Sequence, residues 1–109
     1  MVKREDIEGK LRALRGGRLL FLPHAVRQMA RTDRMISPKE VRDVIESGDI
    51  IEDYPEDVRG HSCLILGSGD GRRPIHVVCA PKDAYVAVIT AYLPDPKEWT
   101  GDFKTRIRP

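Results

Sequence analysis

Histidine and arginine side chains recur at helical spacing in the segment that follows Pro23. His24, Arg27 and Arg31 stand at i, i+3 and i+7, which places them on one polar helix face. An imidazole exchanges protons near neutral pH and guanidinium groups suit phosphate, so this face could hold a phosphate group while a proton is transferred. The same pattern is also typical of a solvated basic helix face, and this alternative stays open.

A second group of polar side chains lies in the two most apolar predicted strands. His76 interrupts the run IHVVCA, and Thr90 and Tyr92 lie in the run YVAVITAYL. Pairing of Ala80 with Val86 across the intervening loop would put Thr90 opposite His76 and collect the polar groups on one face. A lone histidine in a central strand is more often a hydrogen-bonded structural group than a catalyst.

Three helices are predicted ahead of the strands. The first covers residues 2–15 and has an apolar stripe at i, i+4 and i+7, and the second begins at Pro23. The third has the clearest start signal in the sequence, because Ser37 and Glu40 form a capping box around Pro38 at the first helical position.

The chain changes to short β-rich runs after the third helix. DIIEDY, SCLILG, IHVVCA and YVAVITAYL predict four strands, and RLLFL ahead of Pro23 is either a brief strand or an extended lead into a helix. The loop from Pro81 to Ala84 is too short for a crossover helix, so the last two strands should be antiparallel. GSGDG lacks the Gly-Lys-Ser/Thr of a phosphate loop and predicts a hairpin turn.

These elements predict an α+β fold in which N-terminal helices pack on one face of a roughly four-stranded twisted antiparallel sheet. The 109 residues fit a single domain over 1–109. No apolar run approaches the roughly 18 to 20 residues that span a bilayer. Cys63 and Cys79 lie in apolar runs rather than in a metal-binding pattern. We therefore expect a cytoplasmic protein with reduced thiols, no metal, no cofactor and no membrane partner.

The charge is unevenly distributed along the chain. Residues 1–36 carry nine Lys or Arg against four acids, whereas residues 37–57 carry two against eight. Arginine outnumbers lysine thirteen to six, and arginine is the side chain suited to bidentate phosphate contacts. The composition therefore mildly favours an anionic ligand.

Several short motifs occur between residues 20 and 99. They are the His24–Ala25 pair with Arg27, the turn Glu52–Pro55, the strand around His76, the triplet Thr90–Tyr92, and Pro94 with Trp99. With these motifs the chain resembles the domain-of-unknown-function family 4258, small bacterial proteins related to the RelE and barnase-like ribonuclease superfamily. The resemblance makes 20–99 the family-like core and leaves 100–109 as a C-terminal tail. In Thr32–Arg34 the chain departs from the shorter turn common in the family, which leaves the position of the second helix arginine open.

The resemblance implies a RelE/barnase-like fold and a metal-independent ribonuclease, the toxin component of a bacterial toxin–antitoxin pair. In such an enzyme the ribose 2′-OH attacks the adjacent phosphate, which requires a base, an acid and a phosphate clamp. The implied partners are RNA and a small antitoxin protein. The implied catalytic residues are His24, Arg27, His76 and Tyr92, and the implied substrate-binding residues are Arg31, Arg34 and Thr90.

A non-catalytic domain is the alternative from a different functional class. In that reading His24, His76 and Tyr92 belong to a hydrogen-bonded structural network, and the basic helices bind RNA, an acidic partner or nothing. The two readings differ in whether His76 reaches solvent.

Overall fold

Residues 4–107 contain three α-helices and five β-strands. The computed structural model describes these residues, with side chains from residue 7 onward, so positions 2 and 3 of the predicted first helix lie outside the described residues. No helix within the described residues is long and apolar enough to cross a bilayer. In chain order the elements are α1 (Arg4–Ala13), β1 (Arg18–Phe21), α2 (Pro23–Met29), α3 (Pro38–Ser47), β2 (Asp49–Tyr54), β3 (Ser62–Ser68), β4 (Pro74–Pro81) and β5 (Tyr85–Tyr92).

The strands form one sheet in the order β1-β5-β4-β3-β2. Strands β2 to β5 pair with one another in antiparallel fashion, as predicted, and GSGDG lies in the β3–β4 hairpin. The sheet differs from the predicted one in a fifth strand, β1, which runs parallel to β5 from Arg18↔Tyr85 to Phe21↔Val88. Because β1 is short and its partner lies at the far end of the chain, no local turn signal could predict this pairing.

All three helices pack on the same face of the sheet, as predicted. Ile7 and Leu11 from α1, Ala25 and Met29 from α2, and Val41 and Val44 from α3 join a core with inward side chains of β2 to β5. Because side chains alternate along a strand, the remaining side chains of the sheet lie on the opposite face, away from the helices.

A β-bulge at Ile89 interrupts the alternation along β5. Cys79 pairs with Val88, but the next residue along β4, Val78, pairs with Thr90, so Ile89 is an extra residue in β5. Val88 therefore faces the helices, whereas Thr90 faces the other side of the sheet, although the two stand two residues apart.

The register differs from the one expected by one residue beside the loop and by a second residue beyond the bulge. Ala80 pairs with Ala87 rather than with Val86, and Tyr92 instead of Thr90 lies opposite His76. Directly opposite residues of an antiparallel pair share a face, so His76, Thr90 and Tyr92 still emerge together on the face away from the helices. The predicted strand pairing and shared face are confirmed, and the predicted His76–Thr90 register is wrong.

A buried carboxylate, Glu40, joins α3 to the β3–β4 hairpin. The predicted capping box is present: Ser37 Oγ accepts the Glu40 N–H at 3.1 Å, and Glu40 Oε1 accepts the Ser37 N–H at 3.0 Å. Arg73 donates to both Glu40 oxygens at 2.8 and 3.0 Å. The Asp70 N–H supplies a fourth bond at 2.8 Å. The neighbouring Gly69 must be glycine for steric reasons, because a Cβ there would collide with the Glu40 carboxylate.

We expect this carboxylate to make folding stability depend on acid pH. The Arg73 hydrogen bonds lower the pKa of Glu40 from 4.5 to about 2. Its contribution should therefore be complete above pH 4.5 and disappear as the pH falls toward 2, a span worth roughly 3 kcal/mol. Denaturant unfolding between pH 6 and 2 should show this slope in the wild type and a much flatter one in Glu40→Gln. The exposed-site control Glu56→Gln should keep the wild-type slope, and an equally steep slope in Glu40→Gln would contradict the assignment.

Candidate functional site

The face of the sheet away from the helices carries a row of polar side chains, which we call the polar face. His76 on β4 lies opposite Tyr92 on β5, and Glu52 and Tyr54 lie two residues apart on β2. The bulge in β5 adds Thr90 to this face. The same topology that buries the helix-facing core therefore collects an imidazole, two phenols, a hydroxyl and a carboxylate.

His76 is fully buried at the centre of the polar face, and both ring nitrogens are hydrogen-bonded. Nε2 lies 2.9 Å from the Phe103 carbonyl oxygen, and Nδ1 lies 3.2 Å from Tyr92 Oη. A carbonyl only accepts, so Nε2 carries the proton, and Nδ1 accepts from the Tyr92 hydroxyl. Burial lowers the pKa of His76, which keeps the imidazole neutral in this arrangement.

The segment after β5 covers this histidine. Residues 94–107, the C-terminal segment, contain a tight loop in which Trp99 forms an antiparallel bridge with Arg106. The Trp99 ring meets the His76 ring edge-on, with centroids 4.4 Å apart at 83°. Phe103, whose carbonyl accepts the hydrogen bond from His76 Nε2–H, adopts a left-handed backbone conformation with a φ of 60°. Residues 100–107, predicted as a tail, are thus packed against the sheet.

An ion pair at the edge of the polar face stays within reach of solvent. Arg106 makes two parallel bonds to Glu52, with Nε–Oε2 at 3.0 Å and Nη2–Oε1 at 3.1 Å. The Arg106 guanidinium also lies over the Trp99 ring, 4.7 Å from its centroid. The side chains of Arg106 and Glu52 are 58% and 24% exposed, in contrast to the buried His76.

Tyr54 completes this group by donating its hydroxyl to Glu52. Burial by itself would raise the pKa of Glu52, but the hydrogen bonds from Arg106 and Tyr54 outweigh it and hold the pKa below 4.5. Burial and the bond to Glu52 raise the pKa of Tyr54. At neutral pH the site therefore holds a carboxylate, a guanidinium and a protonated phenol in contact.

The predicted basic face belongs to a different part of the surface. His24 and Arg27 are exposed on α2, which packs on the helix side of the sheet, and no hydrogen bond or ion pair among the described residues joins them to His76 or Tyr92. Arg31 is bound to Asp33, and Arg34 is half-buried beside Gln28 and Asp33. The structure brings His76, Thr90 and Tyr92 to one face and leaves the four α2-proximal residues elsewhere.

Three residues of the polar face were not among the predicted site residues. Glu52 and Tyr54 had a usable signal, since two polar side chains two residues apart on a strand must share a face. Arg106 had none, because it lies in the segment read as a tail and reaches Glu52 only through the fold of that segment.

The fold and site together define a small α+β domain with helices on one side of the sheet and a polar ionisable cluster on the other. A family model described as Domain of unknown function (DUF4258) matches residues 21–93, which is well over half of the chain. The chain belongs to this family. Among curated proteins and solved structures, no significant match was found.

We expect His76 to stabilise the fold in its neutral form. A histidine with a native pKa below the 6.5 of the unfolded chain contributes stability that is complete above pH 6.5 and declines as the pH falls below it. Replacing His76 by Gln should remove this pH dependence between pH 7 and 5. It should also lower the unfolding free energy by about 1 to 3 kcal/mol, because Phe103 and Tyr92 lose a partner.

Thermal midpoints measured across this pH range test the prediction. His24→Gln, at an exposed position, serves as the matched control and should follow the wild type. A His76→Gln midpoint that equals the wild-type value at pH 7 would show that the buried hydrogen bonds do not hold the segment.

Proposed function

We propose that this chain is a metal-independent endoribonuclease of the RelE and barnase-like type, which acts in the bacterial cytoplasm as a toxin restrained by a small antitoxin. The observation that carries the proposal is the Glu52–Arg106 pair with Tyr54, a solvent-accessible carboxylate, guanidinium and phenol on one sheet face. These are the group types that phosphodiester transfer to a 2′-OH requires.

Arg106 is the proposed phosphate clamp. Its guanidinium presents a fork that fits a phosphate in the same bidentate way as it fits Glu52. A bound phosphate therefore competes with Glu52 for Arg106. Once Glu52 loses this partner, its pKa rises and it becomes a stronger base at the moment the substrate is in place.

Glu52 is the proposed general base and Tyr54 the proposed acid. Glu52 takes the proton of the 2′-OH, the 2′-oxygen bonds to phosphorus, and the bond from phosphorus to the 5′-oxygen breaks. Tyr54 gives its proton to the leaving 5′-oxygen and regains one from the neighbouring Glu52, which restores both groups. The products are a 2′,3′-cyclic phosphate and a 5′-hydroxyl, so no proton is gained or lost overall.

In this proposal the sequence-predicted residues take more distant roles. His76 is buried and hydrogen-bonded at both ring nitrogens. Together with Tyr92 it positions the C-terminal segment and therefore Arg106. Thr90 lies on the same face. The exposed Arg27, together with His24, Arg31 and Arg34, would bind RNA phosphates away from the cleaved bond.

A non-catalytic interaction domain is the second candidate, and one observation favours it. His76 is fully buried, and the described residues contain no buried side-chain polar atom without a hydrogen-bond partner. A fully satisfied network is what a purely structural cluster shows. The two candidates differ in what they predict for Glu52: the ribonuclease needs it for the reaction, whereas in the interaction domain it affects only the stability of the fold.

Cleavage of RNA in EDTA tests the proposal. The wild type should produce 2′,3′-cyclic phosphate ends from a labelled oligoribonucleotide, and none from its 2′-deoxy counterpart. Glu52→Gln should lower the rate on the order of 10² to 10⁴-fold, as expected for loss of a general base. Glu98→Gln is the control, because Glu98 is an exposed carboxylate on the C-terminal segment, and it should leave the rate unchanged.

Thermal midpoints of the same samples separate catalysis from folding. A Glu52→Gln protein that stays folded but inactive supports the proposal. A wild type that leaves RNA intact in both EDTA and magnesium, or a Glu52→Gln protein that cleaves normally, favours the interaction domain.

A further inference from the structure

The two edges of the sheet are protected to different extents. β2, at one edge, has a bulge at Ile51, and the side chains of its residues Glu52 and Asp53 are bonded to side chains of other segments. Bulges and charged side chains are the usual protection of an edge strand against pairing with another chain. β1, at the other edge, pairs with β5 without a register shift, and no strand of the described chain lies on its outer side.

The backbone of β1 offers hydrogen-bonding groups along this outer side. The Leu22 N–H donates to the Val88 carbonyl at 3.0 Å, so by the two-residue alternation of a parallel ladder Leu20 also bonds to β5. The N–H and C=O groups of Leu19 and Phe21 then point outward. Neither residue has a backbone partner on that side among residues 4–107.

The side chains around this edge are apolar in the middle and basic at the flanks. Leu20 is 43% exposed and Val26, in the helix that follows β1, is 51% exposed. Arg18 and Arg27 are exposed and have no ion-pair partner among the described residues. Exposed apolar side chains next to open backbone groups suit an added strand, and the two arginines favour acidic residues in it.

We propose that the outer edge of β1 receives an extended acidic segment of a partner protein, which joins the sheet as an additional strand beside Leu19–Phe21. The inference does not depend on RNA cleavage, because it uses neither Glu52 nor Tyr54 nor Arg106, which would carry out the cleavage. A second copy of the chain fits poorly, since pairing β1 with β1 brings like charges together. RNA would satisfy the arginines but has no strand of amide groups to match Leu19 and Phe21.

Amide hydrogen exchange measured by NMR on the intact chain tests this assignment. The probe is an eight-residue peptide of alternating valine and glutamate, compared with one of alternating valine and lysine. The acidic peptide should slow exchange of the Leu19 and Phe21 amides at least about tenfold, while the Leu20 amide, already bonded to β5, should change little. The basic peptide should have no such effect.

Charge reversal tests the basic flanks. Arg18→Glu and Arg27→Glu should each weaken binding of the acidic peptide by about tenfold. Lys104→Glu makes the same charge change beside Asp49 at the opposite edge of the sheet and should alter binding less than about twofold.

Four results with added peptide or RNA would overturn the proposal. They are absence of binding at about 1 mM acidic peptide, binding that leaves the Leu19 and Phe21 amides unprotected, equal binding of the lysine peptide, and protection by poly(U) in place of the acidic peptide. Protection that rises with protein concentration in the absence of peptide would assign the edge to a second copy, and would equally contradict an acidic partner.

Discussion

One hydrogen bond, from the His76 Nε2–H to the Phe103 carbonyl, fixes how the polar face is built. It ties the C-terminal segment to the middle of the central strand, and Arg106 follows three residues later at Glu52. This bond exists in either protonation state of His76, because Nε2–H donates in both, but a protonated Nδ1 could no longer accept from the Tyr92 hydroxyl, and burial disfavours the charge. The ion pair at the edge of the face therefore depends on a buried imidazole at its centre.

A second carbonyl in a left-handed turn, that of Met35, is held by a side chain in the same way. Met35 and Phe103 are non-glycine residues with left-handed backbones, φ 47° and 60°, and such conformations require surrounding contacts to hold them. Arg73 donates to the Met35 carbonyl at 3.1 Å, as His76 does to the Phe103 carbonyl. In both places a well-anchored polar side chain stabilises a strained turn and thereby orients the segment around it.

The sequence predicted those parts of the fold whose signals are local. The capping box at Ser37, the antiparallel strands and the helices on one face all follow from spacing over a few residues. The parallel strand β1 depends on a partner far along the chain. The bulge at Ile89 lies in a run that is apolar on both faces, so alternation could not reveal it. For the site, spacing placed His76 and Tyr92 correctly on one face, but Arg106 joins them only through tertiary packing.

The most direct test of the account is the pKa of the Glu52 carboxyl group, followed by carbon-13 NMR with and without a 2′-deoxy dinucleotide that binds but cannot be cleaved. In the free protein the pKa should lie below 4.5, because Arg106 and Tyr54 donate to the carboxylate. With the dinucleotide bound it should rise, since the phosphate takes Arg106 from Glu52. A Glu52 pKa that stays the same at saturating dinucleotide would contradict a phosphate site at Arg106.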